Sequence, residues 1–292
     1  MKDKIVDKAI YIASVTFVVL LCIVCLYPYL NQVALAFNEG KDAARGGIGL
    51  IPRKFTTENF VAVFRDKRLL RAAVVTISAM LVTVGLHIIV VFFSAYGLTR
   101  RNLVGRKFIS IFFLIPTYLS AGTIPVYFLY RELGLINNYL VYIIPGIFSF
   151  YNMVVVRSFI QDIPISLEES ATIDGANEVQ ILFKIIMPIS KPVMATVTLW
   201  TAVAKWNDWN TTLYYITKEK LYSLQYVAMS IIKSGNQVDL KAMEEGTESA
   251  IMVTEASLKS AVLVATSLPI IMIYPFLQKY FMKGMTLGAV KE

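Results

Sequence analysis

The chain has 292 residues, 57% apolar and only 16% charged, with a mean hydropathy of +0.62. Soluble domains carry about a quarter of their residues as charges, so this composition excludes an ordinary soluble globular protein. The formal net charge of +8 does not point to nucleic acid, because the basic residues stand in short clusters beside apolar runs, as in membrane proteins.

Six stretches are apolar enough and long enough for the hydrocarbon core, which takes about 20 residues of helix: 9–37, 72–98, 108–130, 139–159, 192–216 and 256–281. Period-two alternation is absent, so helices are expected rather than barrel strands. The expected fold class is an all-α polytopic membrane protein with six transmembrane helices. No Pro/Ser linker or internal repeat divides it, so residues 1–292 form one transmembrane domain.

The first run follows Lys2, Lys4 and Lys8 and exceeds the 7–15 residue core of a cleaved signal, despite the Ala34-Leu35-Ala36 sequence near its end, which imitates a cleavage site. It is expected to be retained. Cys22 and Cys25 lie inside it without a second ligand pair, and are read as two buried small apolar residues. Lys2, Lys4 and Lys8, then Arg100, Arg101, Arg106 and Lys107, then Lys279, Lys283 and Lys291 all fall on one side of a six-span chain. The positive-inside rule makes that side cytoplasmic, with both termini there. Arg65, Lys67, Arg68 and Arg71 run against the rule. Two long outer loops, 38–71 and 217–255, are either sites for an outer partner or lid, or plain solvated connections.

His87 is the single histidine and lies well inside the second run. An intramembrane ionisable group is a candidate proton relay. The competing reading, a neutral imidazole hydrogen-bonded within the bundle, is favoured because no acid lies in the interiors of runs two, three or four.

The cytoplasmic loop, 160–191, between runs four and five is polar and helix-patterned. Ser166-Leu167-Glu168-Glu169 matches a capping box, with Ser166 as N-cap and Glu169 reaching back. Asp174-Gly175 supplies a break, since glycine takes the left-handed conformation that ends a helix. Asn177 is expected to cap a second helix, whose stripe is Val179, Leu182, Phe183 and Ile186. Pro188 and Pro192 mark the start of run five. Two short helices joined at an angle are expected, the second seated on the bundle and the first offered to the cytoplasm.

Run five turns polar before a helix would have crossed the core, at Lys205-Trp206-Asn207-Asp208-Trp209-Asn210 and on to Tyr214. Aromatic planes beside amide and carboxylate groups suit a sugar, whose CH faces are apolar and whose hydroxyls need directional partners. On a continuous helix Trp206 and Trp209 share one face, and Asn207, Asn210 and Tyr214 another. The alternatives are an interfacial aromatic belt, and a structural Lys205–Asp208 pair at i, i+3.

Glu169-Ser170-Ala171, three residues, Gly175, nine residues, Ile185, one residue and Met187-Pro188 resemble the EAA loop of ABC-importer permeases, EAA-x3-G-x9-I-x-LP. Ser170 and Met187 are the two departures. The WNDW segment, LYSLQY and the tail GMTLGAVKE further resemble the maltose-permease-like carbohydrate branch, and within it the complex oligosaccharide importers of Gram-positive-type systems. The resemblance implies a cytoplasmic coupling helix between helices 4 and 5, contacting an ATPase through Glu169, Ser170, Ala171, Asp174, Gly175, Ala176 and Pro188. It also implies a tail, 282–292, that reaches the ATPase interface through Gly284, Thr286, Gly288 and Lys291, a frayed terminus being the competing reading.

The implied partners are a second homologous permease in a heterodimer, a cytoplasmic ABC ATPase dimer, an extracellular sugar-binding lipoprotein, the oligosaccharide and membrane lipid, with no nucleic acid. The implied location is the bacterial cytoplasmic membrane. No cofactor is expected in this chain, ATP and Mg being bound by the ATPase, because the phosphate-cradling pattern G-x-x-x-x-G-K-[ST] is missing. The rival readings are a stand-alone ion-coupled transporter using His87 or Asp208, an ABC permease for a non-sugar solute, and an intramembrane enzyme. The last is opposed by the lack of a converging catalytic set.

Overall fold

The structure, a computed structural model, describes residues 2–100, 102–119, 121–234 and 253–289. Its long elements are helices: α1 Lys2–Ala36, α2 Glu58–Arg65, α3 Lys67–Thr99, α4 Arg106–Tyr118, α5 Thr123–Glu132, α6 Phe150–Gln161, α7 Ile165–Ile173, α8 Glu178–Ile189, α9 Lys191–Trp206, α10 Asn210–Tyr215, α11 Leu224–Ser234 and α12 Glu255–Ala289. Among the described residues no strand forms beyond a single bridge, Asn38 to Phe55.

Four segments are long and apolar enough to cross a membrane: Val6–Ala36, Lys67–Thr99, Tyr139–Gln161 and Glu255–Ile273. Two bent pairs, α4 with α5 at 119° and α8 with α9 at 69°, raise the number to six if each pair counts as one span. Three of the expected spans are therefore not straight helices. The third breaks between α4 and α5, where Gly122 takes a φ of +83° just before α5. The fourth begins as 3-10 turns, Tyr139–Tyr142 and Ile144–Gly146, and becomes α-helical only at Phe150. Pro145, at the second position of Ile144–Gly146, has no N–H to give an α ladder.

The fifth stops at Trp206 and restarts at Asn210. The cause is local: the Asp208 carboxylate accepts from the Thr211 amide at 3.1 Å and the Thr211 hydroxyl at 2.8 Å. Such side-chain bonds compete with a continuous helical ladder. The expectation that 192–216 runs as one helix is corrected accordingly.

The chain divides into two compact units. One comprises residues 1–70 and 228–268. Within it the segment after α1 is not a plain solvated connection but a closed clasp. Glu39 N donates to Lys54 O at 2.9 Å and Thr56 N to Phe37 O at 2.8 Å. Buried Asn59 donates to Ala36 O and Asn38 O, both at 2.9 Å, and accepts from Ser257 Oγ at 3.0 Å. Every polar atom of this amide thus finds a partner, as burial requires. Cys22 and Cys25 lie on the exposed surface of α1, which corrects their reading as buried residues. Their helix presents apolar side chains all round to its surroundings over most of its length, so no inward face exists there to take them.

The other unit comprises residues 71–227 and 269–292. Its main core joins Val91, Phe92 and Ala95 of α3 to Met153 and Val156 of α6, Leu182 and Ile186 of α8, and Val197 of α9. This core seats the loop between α6 and α9.

Candidate functional site

Two groups of residues stand out in the second unit. The first is the α7–turn–α8 segment. Helix α7 starts at Ile165 after Pro164, which makes no side-chain capping bond. The capping box expected at Ser166 and Glu169 does not form, because the helix begins two residues earlier, with Pro164 as N-cap, and places Ser166 inside its first turn. Glu169 and Ser170 are instead exposed. It is Glu168 that is engaged: Arg100 Nη1 and Nη2 donate to its two oxygens at 2.6 and 3.2 Å, and the Arg100 guanidinium stands 4.1 Å from the Tyr96 ring centroid. A bidentate arginine grip on a carboxylate fixes orientation as well as distance. It ties α7 to the residue that follows α3.

The break falls where expected. Gly175 has a φ of +85°, Gly175 N donates to Thr172 O at 3.0 Å and Ala176 N to Ala171 O at 2.9 Å. This pair of bonds is a Schellman ending, with Asp174 as C-cap. Ala171 and Ala176 both pack on the core while Asp174 stays exposed. Asn177 then caps α8 and shares a reciprocal box with Gln180, each side chain accepting from the other's amide at 2.9 Å. Gln180 had not been recognised as its partner.

The expected stripe of α8 holds at two of its four residues, Leu182 and Ile186. Ile181, Leu182 and Ile186 are buried, whereas Val179 and Phe183 are exposed. A π-turn over Leu182–Ile186 inserts an extra residue into the helical register, so a 3.6-residue count drifts off the true face. Ile185 and Met187 pack beside that core, and Pro188 is exposed.

The second group surrounds the unwound stretch 207–209. Trp206 is buried, Trp209 half-buried, and Asn207, Asn210 and Tyr214 exposed. The helix break removes the two faces a continuous helix would have given, yet Asn207, Asn210 and Tyr214 remain the accessible ones. Asp208 is committed to structure: besides Thr211 it lies 3.7 Å from Lys205 Nζ, and its carbonyl accepts from Ser223 Oγ at 2.8 Å.

Lys205 is committed as well. Its Nζ donates to Tyr142 O at 2.8 Å, one of the carbonyls freed where the fourth span is 3-10. Thr83 Oγ1 reaches the same oxygen at 3.3 Å. The Tyr142 hydroxyl bonds Thr212 Oγ1 at 2.6 Å and Leu221 O at 2.8 Å. His87 sits beside this, Nδ1 at 2.8 Å from Gly146 O and Nε2 at 2.9 Å from Asn152 Nδ2. A neutral imidazole protonated at Nδ1 satisfies both contacts.

The network of Thr83, His87, Tyr142, Gly146, Asn152 and Lys205 was not recognised from the sequence as a unit. Its signal was present: Thr83 and His87 stand four apart inside one apolar run, on one helical face. Of the tail residues, Gly284, Thr286 and Gly288 lie on α12, and Lys291 lies outside the described residues.

Residues 60–287 match the family model described as "Binding-protein-dependent transport system inner membrane component". The chain belongs to this family. Among its relatives, a Bacillus subtilis (strain 168) protein named as a polygalacturonan/rhamnogalacturonan transport system permease is 31% identical, the alignment covering 100% of both chains. A Bacillus subtilis maltodextrin transport system permease is 28% identical over 96% of each chain. A solved bacterial ABC transporter, described as importing the acidic polysaccharide alginate, contains a chain that matches with a TM-score of 0.86 and 26% identity, over 94% of this chain and 97% of that one. As an inner membrane component of a transport system, this family member has its candidate functional parts in an anchored two-helix loop and an unwound polar stretch between α9 and α10.

Proposed function

We propose that the chain is the permease subunit of an ATP-binding-cassette importer that carries an oligosaccharide across the cytoplasmic membrane, and that α7, the Gly175 turn and α8 form its coupling loop to a separate ATPase. The observation that carries this reading is the construction of the loop. Its second helix is sunk in the core and its first is held by Arg100, yet Glu169, Ser170, Thr172, Ile173 and Asp174 are left exposed as a ready contact surface. A part built to pass on movement must be rigid toward its own bundle and open toward its partner.

On this reading the loop and both termini face the cytoplasm. Six spans form from the four long segments, the bent α4–α5 pair, and α9 with its continuation α10, α8 staying with the cytoplasmic loop, and an ATPase dimer, which binds the ATP and Mg, drives alternating access. A second permease completes the pore and an extracellular lipoprotein delivers the sugar. The tail bearing Gly284, Thr286, Gly288 and Lys291 lies near the ATPase. The relatives named for polygalacturonan, maltodextrin and alginate support a sugar cargo. Within this subunit Asn207, Asn210 and Tyr214 are the exposed polar edge suited to hydroxyls, flanked by Trp206 and Trp209. A self-powered ion-coupled carrier is the weaker reading, because both of its proposed proton carriers, His87 and Asp208, are fully engaged in structural bonds.

The test is Gly175→Trp in the assembled transporter. Uptake of a glycan panel that includes uronate-containing oligosaccharides is expected to be lost while the subunit remains in the membrane with its partners. Unchanged ATP-driven uptake, or wild-type uptake that needs no ATP, overturns the reading.

A further inference from the structure

The segment that follows α1 carries an apolar tip that its own unit does not cover. Leu50 is 52% exposed, Ile51 78% and Phe55 70%. The tip is built, not loose. Gly46 and Gly47, with φ of +72° and +71°, reverse the chain, a turn that side-chain-bearing residues rarely make. Arg53 closes its base, with Nη2 donating to Gly46 O at 2.8 Å and to Asp42 O at 3.1 Å, while its Nε meets the Asp42 carboxylate at 2.9 Å. The Phe55 ring stacks on Phe37 at 5.5 Å.

The tip is also folded back on the span. Asn31 Nδ2 donates to Ile48 O at 2.7 Å and to Gly49 O at 2.9 Å. Asn31 lies five residues before the end of α1 at Ala36, so the clip holds the loop about 7.5 Å back along the helix, at 1.5 Å of rise per residue. At that level α1 still exposes Leu26, Tyr27 and Leu30. The loop therefore continues the apolar belt of a membrane-spanning helix instead of projecting beyond it.

We propose that Leu50, Ile51 and Phe55 insert into the headgroup–acyl boundary of the bilayer at the C-terminal end of α1, making 48–55 a lipid-anchored loop. Three further features fit a lipid occupant. Apolar groups at this depth sit naturally about 5–10 Å into the interface. Arg53 and Lys54, adjoining the tip, have their charges balanced by Asp42 and Glu39 at 2.9 and 3.1 Å, so the apolar tip does not drag an unpaired cation with it. Finally, an exposed apolar patch on a fixed turn needs a partner phase, and the belt beside it already has one. The anchor would hold the end of α1 at constant depth while other parts of the subunit move.

The test uses the full transporter in phosphatidylcholine nanodiscs, with Cys22→Ser and Cys25→Ser removing the native thiols. An environment-sensitive fluorophore is attached at Ile51→Cys, or at Lys41→Cys as a water-exposed control, and copurification of the partner subunits confirms assembly. Emission from position 51 is expected to shift to shorter wavelength than from position 41, and to be quenched more by lipid with a spin label near the headgroup than by lipid labelled near the chain end. Water-like, unquenched emission overturns the proposal. So does blue-shifted emission that no spin-labelled lipid quenches, which would place the tip against protein.

Discussion

The Lys205 ammonium is 2.8 Å from the carbonyl oxygen of Tyr142, in a stretch where the fourth span is not α-helical. The ammonium thus satisfies a backbone acceptor that the unwound segment frees, and Asp208 at 3.7 Å balances its charge. Both side chains are largely buried, at 16% exposure each. Lys205→Met alone should lower stability by on the order of 3 kcal/mol, because it strands a buried carboxylate and a carbonyl. The double variant Lys205→Met with Asp208→Asn should recover part of that loss. Thermal unfolding in detergent checks both, and a double variant worse than the single one contradicts the pairing.

Gly146 stands where this network is tightest. A Cβ there would lie 2.7 Å from Lys205 Cε and 2.7 Å from Thr83 Cγ2. Gly146→Ala should therefore cost about 1–3 kcal/mol by overpacking. Adding Thr83→Ser removes the methyl group in contact and should return part of the stability. The same thermal unfolding measurement decides it, and no rescue by Thr83→Ser points to another cause.

These residues also show what could be read in the sequence. Helices, the membrane setting and the Gly175 turn were legible, because run length, composition and the left-handed preference of glycine act locally. The breaks between α4 and α5, at 147–149 and at 207–209 were not. Run length and composition do not register the side-chain and backbone bonds behind them: Asp208 holds Thr211 at 207–209, and the 3-10 carbonyls of the fourth span meet Lys205 and His87 from other helices. The stripe on α8 was half legible: Leu182 and Ile186 are buried as expected, while Phe183, inside a π-turn that a 3.6-residue count does not register, is exposed. The grip on Glu168 was not legible either, because its partner, Arg100, lies 68 residues away.

Arg100 and Glu168 should be coupled in function. Arg100→Glu or Glu168→Arg alone leaves like charges facing, and should strongly reduce uptake and the binding-protein-stimulated ATPase rate of the assembled transporter. The swapped pair, Arg100→Glu with Glu168→Arg, should restore a large part of both. A double-mutant cycle should give an interaction of about 1–3 kcal/mol. Additive losses with no recovery in the swap would show that the two residues act independently.

Asp42 gives the clasp after α1 a pH dependence of definite sign. The hydrogen bond from Asn38 Nδ2, at 3.0 Å, lowers its pKa, burial opposes this, and the nearby Arg53 and Lys54 charges add to the lowering. A depressed folded-state pKa means that the carboxylate's contribution is fully present above its ordinary value of 3.8 and is lost as pH falls through the folded value. The clasp should accordingly loosen only under acid conditions, with amide exchange rising at Lys54, whose N–H bonds Asn38 Oδ1 at 2.9 Å. Asp42→Asn should raise that exchange at neutral pH and flatten its acid dependence. Acid-induced exchange at Lys54 that is as steep in Asp42→Asn as in the wild type would assign the titration to another group.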